Sequence, residues 1–134
     1  MTDQELMQLA LDARKQAYAP YSRFLVGAAL LSKNGTVYTG CNVENAAFSP
    51  TCCAERVAIF KAVSEGVREF SAIAIVGGKE NELSKTCTPC GVCRQVLAEF
   101  CHGDLRILTG TPDNVHATTL EELLPLAFSP NNFN

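Results

Sequence analysis

Three cysteines and one glutamate are spaced so that they could form a catalytic metal site. Cys90 and Cys93 form a C-x-x-C pair, whose sulfurs can bind one tetrahedral ion, and Cys53 offers a third thiol. Three protein ligands leave one position of the ion open, and zinc with an open position lowers the pKa of water to near neutrality. Glu55 follows Cys53 by two residues and is close enough to move protons. The pattern therefore predicts zinc-assisted hydrolysis.

Both metal-binding pieces are predicted to lie where a loop turns into a helix. Helix N-termini carry partial positive charge, which stabilises thiolates and lowers the pKa of a thiol. Residues two apart on a helix point about 200° away from each other, so Cys53 and Glu55 cannot both face the ion from mid-helix. We therefore expect Cys53 at or before the first turn of its helix.

The charge of such a site needs a cationic partner. Three thiolates on a divalent ion leave a net charge of about −1, which should make water at the ion less acidic. Arg56 is the candidate to offset this charge, because a guanidinium can donate hydrogen bonds to sulfur without becoming a ligand. Gln95, early in the second helix, is a further candidate for a supporting contact. From sequence alone, either residue could instead lie on a helix surface.

Two other interpretations of the cysteines stay open. A closed structural site would have four cysteine ligands, namely Cys87, Cys90, Cys93 and either Cys52 or Cys53. A thioredoxin-like redox pair would use Cys90 and Cys93 alone. Neither interpretation gives Glu55 a task.

Composition predicts one domain over residues 1–134 and excludes several partners. The net charge is −3, and no run of Lys or Arg is present, which argues against binding nucleic acid. No apolar stretch is long enough to span a membrane, and the N-terminal residues are polar and acidic rather than typical of a signal peptide. We expect a cytoplasmic protein whose seven cysteines are reduced.

Hydrophobic periodicity and turn residues predict alternating helices and strands. The predicted elements are a helix from a Thr2–Glu5 capping box to about Tyr18, a hairpin of 25–32 and 36–39 around Asn34-Gly35, a buried helix over 53–64, a strand over 72–76, a helix over 92–100, strands over 105–108 and 115–118, and a short helix after Thr119. The fold class expected is α/β, with a single mixed five-stranded sheet and helices on both faces. The connections after residue 50 predict parallel strands there.

Several motifs along nearly the whole chain resemble those of one family. They are Pro20-Tyr21-Ser22-Arg23-Phe24, Val26-Gly27-Ala28-Ala29, Cys41-Asn42-Val43-Glu44-Asn45-Ala46, Cys53-Ala54-Glu55-Arg56, Pro89-Cys90-Gly91-Val92-Cys93-Arg94-Gln95 and Leu123-Leu124-Pro125-Leu126-Ala127-Phe128. In this order they resemble cytidine deaminase, the small type with an all-cysteine zinc site. The non-ligating glutamate near the cysteines is part of the zinc deaminase pattern.

The resemblance implies a role for each site residue. It implies one zinc ion per chain on Cys53, Cys90 and Cys93, with zinc-bound hydroxide attacking C4 of the base and Glu55 as the catalytic proton shuttle. The substrate contacts that it implies are Phe24, Asn42, Glu44, Ala54, Thr88 and Phe128. A carboxylate and a carboxamide suit sugar hydroxyls, and an aromatic face suits a flat ligand. The family is typically a homotetramer in which neighbouring chains share sites, and Phe128 matches a residue contributed across subunits.

The activity implied is that of a hydrolase in pyrimidine salvage. It converts cytidine and 2'-deoxycytidine to uridine and 2'-deoxyuridine and releases ammonia. One alternative is a deaminase of another small cytosine-containing molecule, such as blasticidin S. The alternative from a different class is a non-catalytic module that is stabilised by zinc with four cysteine ligands.

Overall fold

The computed structural model describes residues 1–134. Its helices are α1 (Asp3–Ala13), α2 (Ala54–Ser64), α3 (Gly91–Phe100) and α4 (Leu120–Leu123), and its strands are β1 (Phe24–Ser32), β2 (Val37–Cys41), β3 (Phe70–Lys79), β4 (Glu82–Leu83), β5 (Arg106–Thr111) and β6 (Asn114–Thr119). Every predicted element is present, and the capping box at Thr2 and Glu5 is confirmed. The first helix ends earlier than predicted, because a 3₁₀ turn over Arg14–Gln16 replaces its last turn. No helix has the length and apolar character needed to cross a bilayer.

The strands form one mixed sheet in the order β2-β1-β3-β5-β6, and the two-residue β4 pairs with β3. The predicted hairpin is confirmed as the antiparallel pair of β1 and β2. Strand β5 runs parallel to β3, as the helical connection through α3 predicts. The expectation of parallel strands is wrong for β6, which is antiparallel to β5. Only Pro112 and Asp113 separate these strands, and so short a connection can form only a hairpin.

Helices cover both faces of the sheet, which confirms the predicted fold class. On one face α1 buries Leu6, Met7 and Ala10 against small strand residues such as Ala74. On the other face, α2 and α3 pack on larger strand residues. The buried members of that cluster include Leu30, Ala58, Ile59, Ile73, Ile75, Leu97 and Ile107. Alternate residues of each strand therefore serve opposite layers, as the period of two requires.

Gly40 in β2 allows the start of α2 to lie directly on the sheet. A Cβ atom at this position would lie 2.5 Å from the carbonyl oxygen of Ala54 and 2.7 Å from the backbone nitrogen of Ala58. Both distances are too short for any side chain, so only glycine permits this approach. The backbone of β2 thus determines the position of the helix start that carries Cys53 and Glu55.

Arg14 joins α1 to the strand ends through a buried cation. Its Nε donates to the carbonyl oxygen of Leu25 at 3.0 Å, and its Nη2 donates to those of Gly78 and Lys79 at 2.9 and 2.5 Å. We expect Arg14→Ala to lower the free energy of unfolding by about 3 kcal/mol, because it leaves these carbonyls unpaired. Urea titration followed by circular dichroism measures the change.

The matched control is Lys15→Ala, at the exposed neighbouring position. Its only ion pair, to Asp12 at 3.8 Å, lies at the surface. Its effect should stay within about 0.5 kcal/mol. Equal stabilities of the two variants would contradict a structural role for Arg14.

Candidate active site

Three sulfur atoms meet between the starts of α2 and α3. The Sγ atoms of Cys53 and Cys90 lie 3.8 Å apart, and those of Cys90 and Cys93 lie 3.5 Å apart. Zn–S bonds of about 2.3 Å in a tetrahedral site require sulfurs about 3.8 Å apart. The three thiols are also the only group of potential ligands that the structure brings together in this way. The donor set and its spacing therefore fit a zinc ion.

Two of the cysteines occupy the N-cap positions of their helices. Cys53 precedes α2 and Cys90 precedes α3, both with extended backbone, and neither side chain caps its helix with a hydrogen bond. An N-cap side chain normally accepts a hydrogen bond from a free N–H group of the first turn. Here the sulfurs turn toward each other instead, in the positive field of two helix ends. The expectation that Cys53 lies at or before the first turn is confirmed.

The sulfur of Cys53 is prepared to be a thiolate. A hydrogen bond from Cys93 and a further one from Arg56 lower the pKa of Cys53 to about 5. The hydrogen bond to Cys53 and burial raise the pKa of Cys93. Binding of a metal ion to such a cluster releases the remaining thiol protons, because the thiolate is the ligand.

Arg56 lies beside the sulfurs, where the charge balance of the site predicts a cation. Its Nη2 lies 3.4 Å from the Sγ of Cys53 and 3.5 Å from the carbonyl oxygen of Thr51. Its Nε is buried and has no hydrogen-bond partner. A buried guanidinium nitrogen without a partner is costly, and anionic sulfur nearby compensates part of that cost.

Glu55 is the second residue of α2 and is almost completely buried, with 4% of its surface exposed. Burial raises the pKa of its carboxyl group to about 7, because desolvation disfavours the charged form. The side chain also lines the same cavity as Cys53 and Cys90. A carboxyl group that gains and loses protons easily is therefore placed beside the thiols.

A cavity of about 360 Å³ opens beside the sulfurs. Its lining residues are Ser22, Phe24, Val26, Asn42, Glu44, Thr51, Cys52, Cys53, Ala54, Glu55, Cys87, Thr88 and Cys90. Five of the six predicted substrate contacts are among them, and only Phe128 is not. The cavity therefore joins the thiols and Glu55 to a set of polar groups and one aromatic ring.

The polar wall of the cavity is built by Asn42 and Glu44. The Oδ1 of Asn42 accepts from the backbone nitrogen of Val26 at 2.9 Å, and its Nδ2 donates to the carbonyl oxygen of Phe24 at 2.8 Å. One N–H group and one lone pair of this amide remain free for a ligand. The carboxylate of Glu44 is held by the backbone of Tyr21 and by Ser22.

Comparison with known proteins matches residues 1–109 to the model of the cytidine and deoxycytidylate deaminase zinc-binding region. The chain belongs to this deaminase family. A protein of Sporosarcina psychrophila named cytidine deaminase is 51% identical, over 100% of this chain and 96% of its own length. The crystal structure of cytidine deaminase from Burkholderia pseudomallei superposes with a TM-score of 0.88 at 45% identity, covering 96% of this chain and 100% of that one. A Bacillus cereus protein named blasticidin-S deaminase is 30% identical, over 96% of this chain and 94% of its own length.

The cofactor of this deaminase is a zinc ion. The matched zinc-binding region contains all three clustered cysteines, Cys53, Cys90 and Cys93, which are positioned to bind it. Neither Cys52 nor Cys87 belongs to the cluster, although both line the cavity. Burial raises the pKa of Cys87 to about 11, which disfavours its ligating thiolate form. The arrangement therefore favours a site with three protein ligands over a closed site with four.

Gln95 and Phe128 belong neither to the cavity lining nor to the sulfur cluster of the deaminase. Gln95 donates from Nε2 to the carbonyl oxygen of Phe128 at 2.8 Å, so this amide contacts the C-terminal segment rather than a sulfur. Phe128 is 60% exposed and packs edge-to-face on Phe133. Their roles stay predictions. Sequence reasoning missed Ser22 as a cavity residue, although it lies in the motif around Phe24.

A second cavity, of about 390 Å³, lies between the end of α3 and the C-terminal segment. It contains Cys101 and His102 but none of the clustered cysteines. The volumes of the two cavities are similar, so the chemistry of the lining, rather than size, identifies the functional one.

Proposed function

We propose that this enzyme hydrolyses cytidine and 2'-deoxycytidine to uridine and 2'-deoxyuridine with release of ammonia. The observation that carries the proposal is the buried Glu55 beside three converging thiols, in a cavity that Asn42 and Glu44 also line. The thiols and Glu55 suit hydrolysis, and Asn42 and Glu44 suit a sugar. We propose further that residues 1–134 form one deaminase domain.

Glu55 is proposed to move both protons of the reaction. When bound, zinc acts as a Lewis acid and lowers the pKa of water toward neutrality. The Glu55 carboxylate accepts a proton from the attacking water and gives it to ring N3, which makes C4 more electrophilic. As the C–N bond breaks, the carboxyl group transfers the second proton from the new hydroxyl on C4 to the amino group. The products are a C4 carbonyl and ammonia, so atoms and protons balance.

The rest of the cavity is proposed to hold the nucleoside. Asn42 keeps one free donor and one free acceptor, and Glu44 is a carboxylate, so the pair suits sugar hydroxyls. Phe24 offers an aromatic face to the nucleoside. Ala54 directly follows Cys53, and Thr88 lies two residues before Cys90. Both line the cavity, and their backbone groups are proposed to contact the base near the metal.

The direct test is to incubate the purified, zinc-loaded protein with cytidine while following ultraviolet absorbance and ammonia release. We expect equal amounts of uridine and ammonia, loss of activity after treatment with a chelator, and recovery after zinc is returned. A zinc-loaded, folded protein that releases no ammonia from cytidine or 2'-deoxycytidine would refute the proposal.

Blasticidin S is the alternative substrate that deserves a direct comparison. Identity is 51% to a protein named cytidine deaminase and 30% to a protein named blasticidin-S deaminase, which favours the nucleoside. Measurement of kcat/KM for cytidine, cytosine and blasticidin S decides among them. A preference for blasticidin S would assign Glu44 a task other than sugar binding.

The enzyme is proposed to act as a homotetramer in which Phe128 reaches a neighbouring cavity. Large apolar side chains are exposed in the loop that follows β2 and in the C-terminal segment, and exposed apolar patches mark protein interfaces. They include Phe48 at 69%, Leu126 at 105%, Phe128 at 60% and Phe133 at 80% exposure. Light scattering after gel filtration tests the assembly, and a monomer would contradict it.

A cytoplasmic location is also proposed, since all seven cysteines are unpaired.

Arg56 is proposed to offset the negative charge of the zinc site. We expect Arg56→Ala to lower zinc affinity or turnover by about 10- to 100-fold, as loss of an outer hydrogen-bond donor does at other metal sites. The ratio of activities on cytidine and 2'-deoxycytidine should not change. Competition with a chromogenic chelator and steady-state kinetics measure these effects. Arg68→Ala, at an exposed position, is the matched control, and equal behaviour of the two variants would remove the role.

A further inference from the structure

The carboxylate of Glu44 is held on both oxygens by the segment that precedes β1. Its Oε1 accepts from the backbone nitrogens of Tyr21 and Ser22 at 3.0 and 3.1 Å. Its Oε2 accepts from the Oγ of Ser22 at 2.5 Å. The hydrogen bond from the Ser22 side chain also lowers the pKa of Glu44, so the group is an acceptor only. Three of its hydrogen bonds therefore come from two consecutive residues.

This arrangement limits what Glu44 can recognise. A carboxylate has about four lone-pair sites, and three of them are already filled. The free site lies on Oε2, the oxygen whose orientation is set by the Ser22 hydroxyl. Glu44 can thus accept one further hydrogen bond, from one hydroxyl group of a ligand.

Ser22 is itself fixed by its surroundings. Its Oγ accepts from the backbone nitrogen of Phe24 at 3.0 Å while it donates to Glu44. Between them, Arg23 has a φ of 60°, in the left-handed region that non-glycine residues rarely adopt. Such backbone strain persists only where surrounding contacts determine it, and it is common at binding sites. The Ser22 hydroxyl therefore connects the aromatic wall of the cavity to its carboxylate.

We propose that Ser22 is a positioning residue for sugar recognition, whose hydroxyl orients Glu44 toward a single ring hydroxyl, at C2' or C3', of the nucleoside. The inference rests on the proposed function and adds two things to it: the role of Ser22, and the number of sugar hydroxyls, namely one, that Glu44 can bind. It makes Ser22 important only for ligands that carry the hydroxyl bound by Glu44. A purely structural role of the loop would affect all ligands equally.

The test compares Ser22→Ala with the parent on cytidine and on 2',3'-dideoxycytidine, which lacks both ring hydroxyls. Loss of one hydrogen bond to a charged group should lower kcat/KM on cytidine by about tenfold, mainly through KM. On the dideoxy substrate, kcat/KM of the two proteins should differ by less than about twofold, because the hydroxyl that Glu44 binds is absent. Ser22→Thr keeps the hydroxyl and should restore the parent value within about threefold.

Uridine binding measured by calorimetry repeats the comparison without turnover. Ser22→Ala should bind uridine about tenfold more weakly and 2',3'-dideoxyuridine with unchanged affinity. Ser64→Ala, an exposed serine at the far end of α2, is the matched control, and zinc content and melting temperature check folding.

Equal losses of kcat/KM or affinity on both kinds of ligand, or no loss on either, would overturn the role of Ser22. Cytidine turnover by the parent would still support the proposed function. If the parent bound uridine without deaminating cytidine, the proposed function would fail, and calorimetry alone would decide the role of Ser22.

Discussion

Replacement of Glu55 by glutamine should lower cytidine turnover by about 10⁴-fold, since two proton transfers depend on this carboxyl group. Glutamine has nearly the same shape but cannot accept a proton and return it. Glu55 is 4% exposed and lies in the first turn of α2, where an amide of equal size fits without a new cavity. We therefore expect zinc content of one ion per chain and an unchanged melting temperature. Ammonia release, zinc analysis and calorimetry measure the three quantities.

The control for Glu55 lies on the same helix. Glu65 is exposed at the C-terminal end of α2, and Glu65→Gln makes the same chemical change far from the thiols. Its turnover should equal that of the parent. If Glu55→Gln kept more than about a tenth of parental turnover, the proton-transfer role would be excluded, because a single general acid or base contributes at least about 100-fold.

The thiol cluster could be predicted from the sequence because its decisive features are local. The spacing of Cys90 and Cys93 is a property of four consecutive residues, and the placement of Cys53 follows from helix geometry alone. What joins the two pieces is the parallel pairing of β3 and β5, which aligns the starts of α2 and α3 at one edge of the sheet. The β-α-β pattern predicts that pairing as well.

The cavity could be predicted only in part, because its wall depends on contacts between distant residues. Nothing in the spacing of Ser22 and Glu44 shows that one orients the other. Residues 20–22 form a turn that places Ser22 against Glu44, just beyond the end of β2, and Arg23 follows with a left-handed backbone. Likewise, the composition of the chain does not reveal that Arg14 is buried against three strand carbonyls. Long polar side chains are usually exposed, so sequence favours the wrong environment for it.

The hydrogen bond of Gln95 illustrates a choice that sequence leaves open. Its position near Cys93 favours a contact with sulfur, yet a long amide early in α3 can equally reach the C-terminal segment. In the structure it donates to Phe128, while Arg94 donates to the carbonyl oxygens of Pro89 and Leu123 at 2.7 Å each. Two neighbouring residues of α3 therefore attach the segment that carries Phe128 to the helix that carries the thiols. Any assembly that uses Phe128 would depend on this attachment.

Replacement of Cys90 by serine should weaken zinc binding by more than about 100-fold, and turnover should fall in parallel. The loss is larger than that expected for a residue that only hydrogen-bonds to a ligand, because Cys90 is a ligand itself. Serine is a favourable N-cap residue, so α3 should still form. Cys87→Ser is the matched control: Cys87 lies outside the sulfur cluster, and partial burial raises the pKa of its thiol, so zinc and activity should persist. Zinc-to-protein ratios and circular dichroism test both variants. Equal zinc loss in both would instead indicate a closed site with four cysteine ligands, in which no position remains for water.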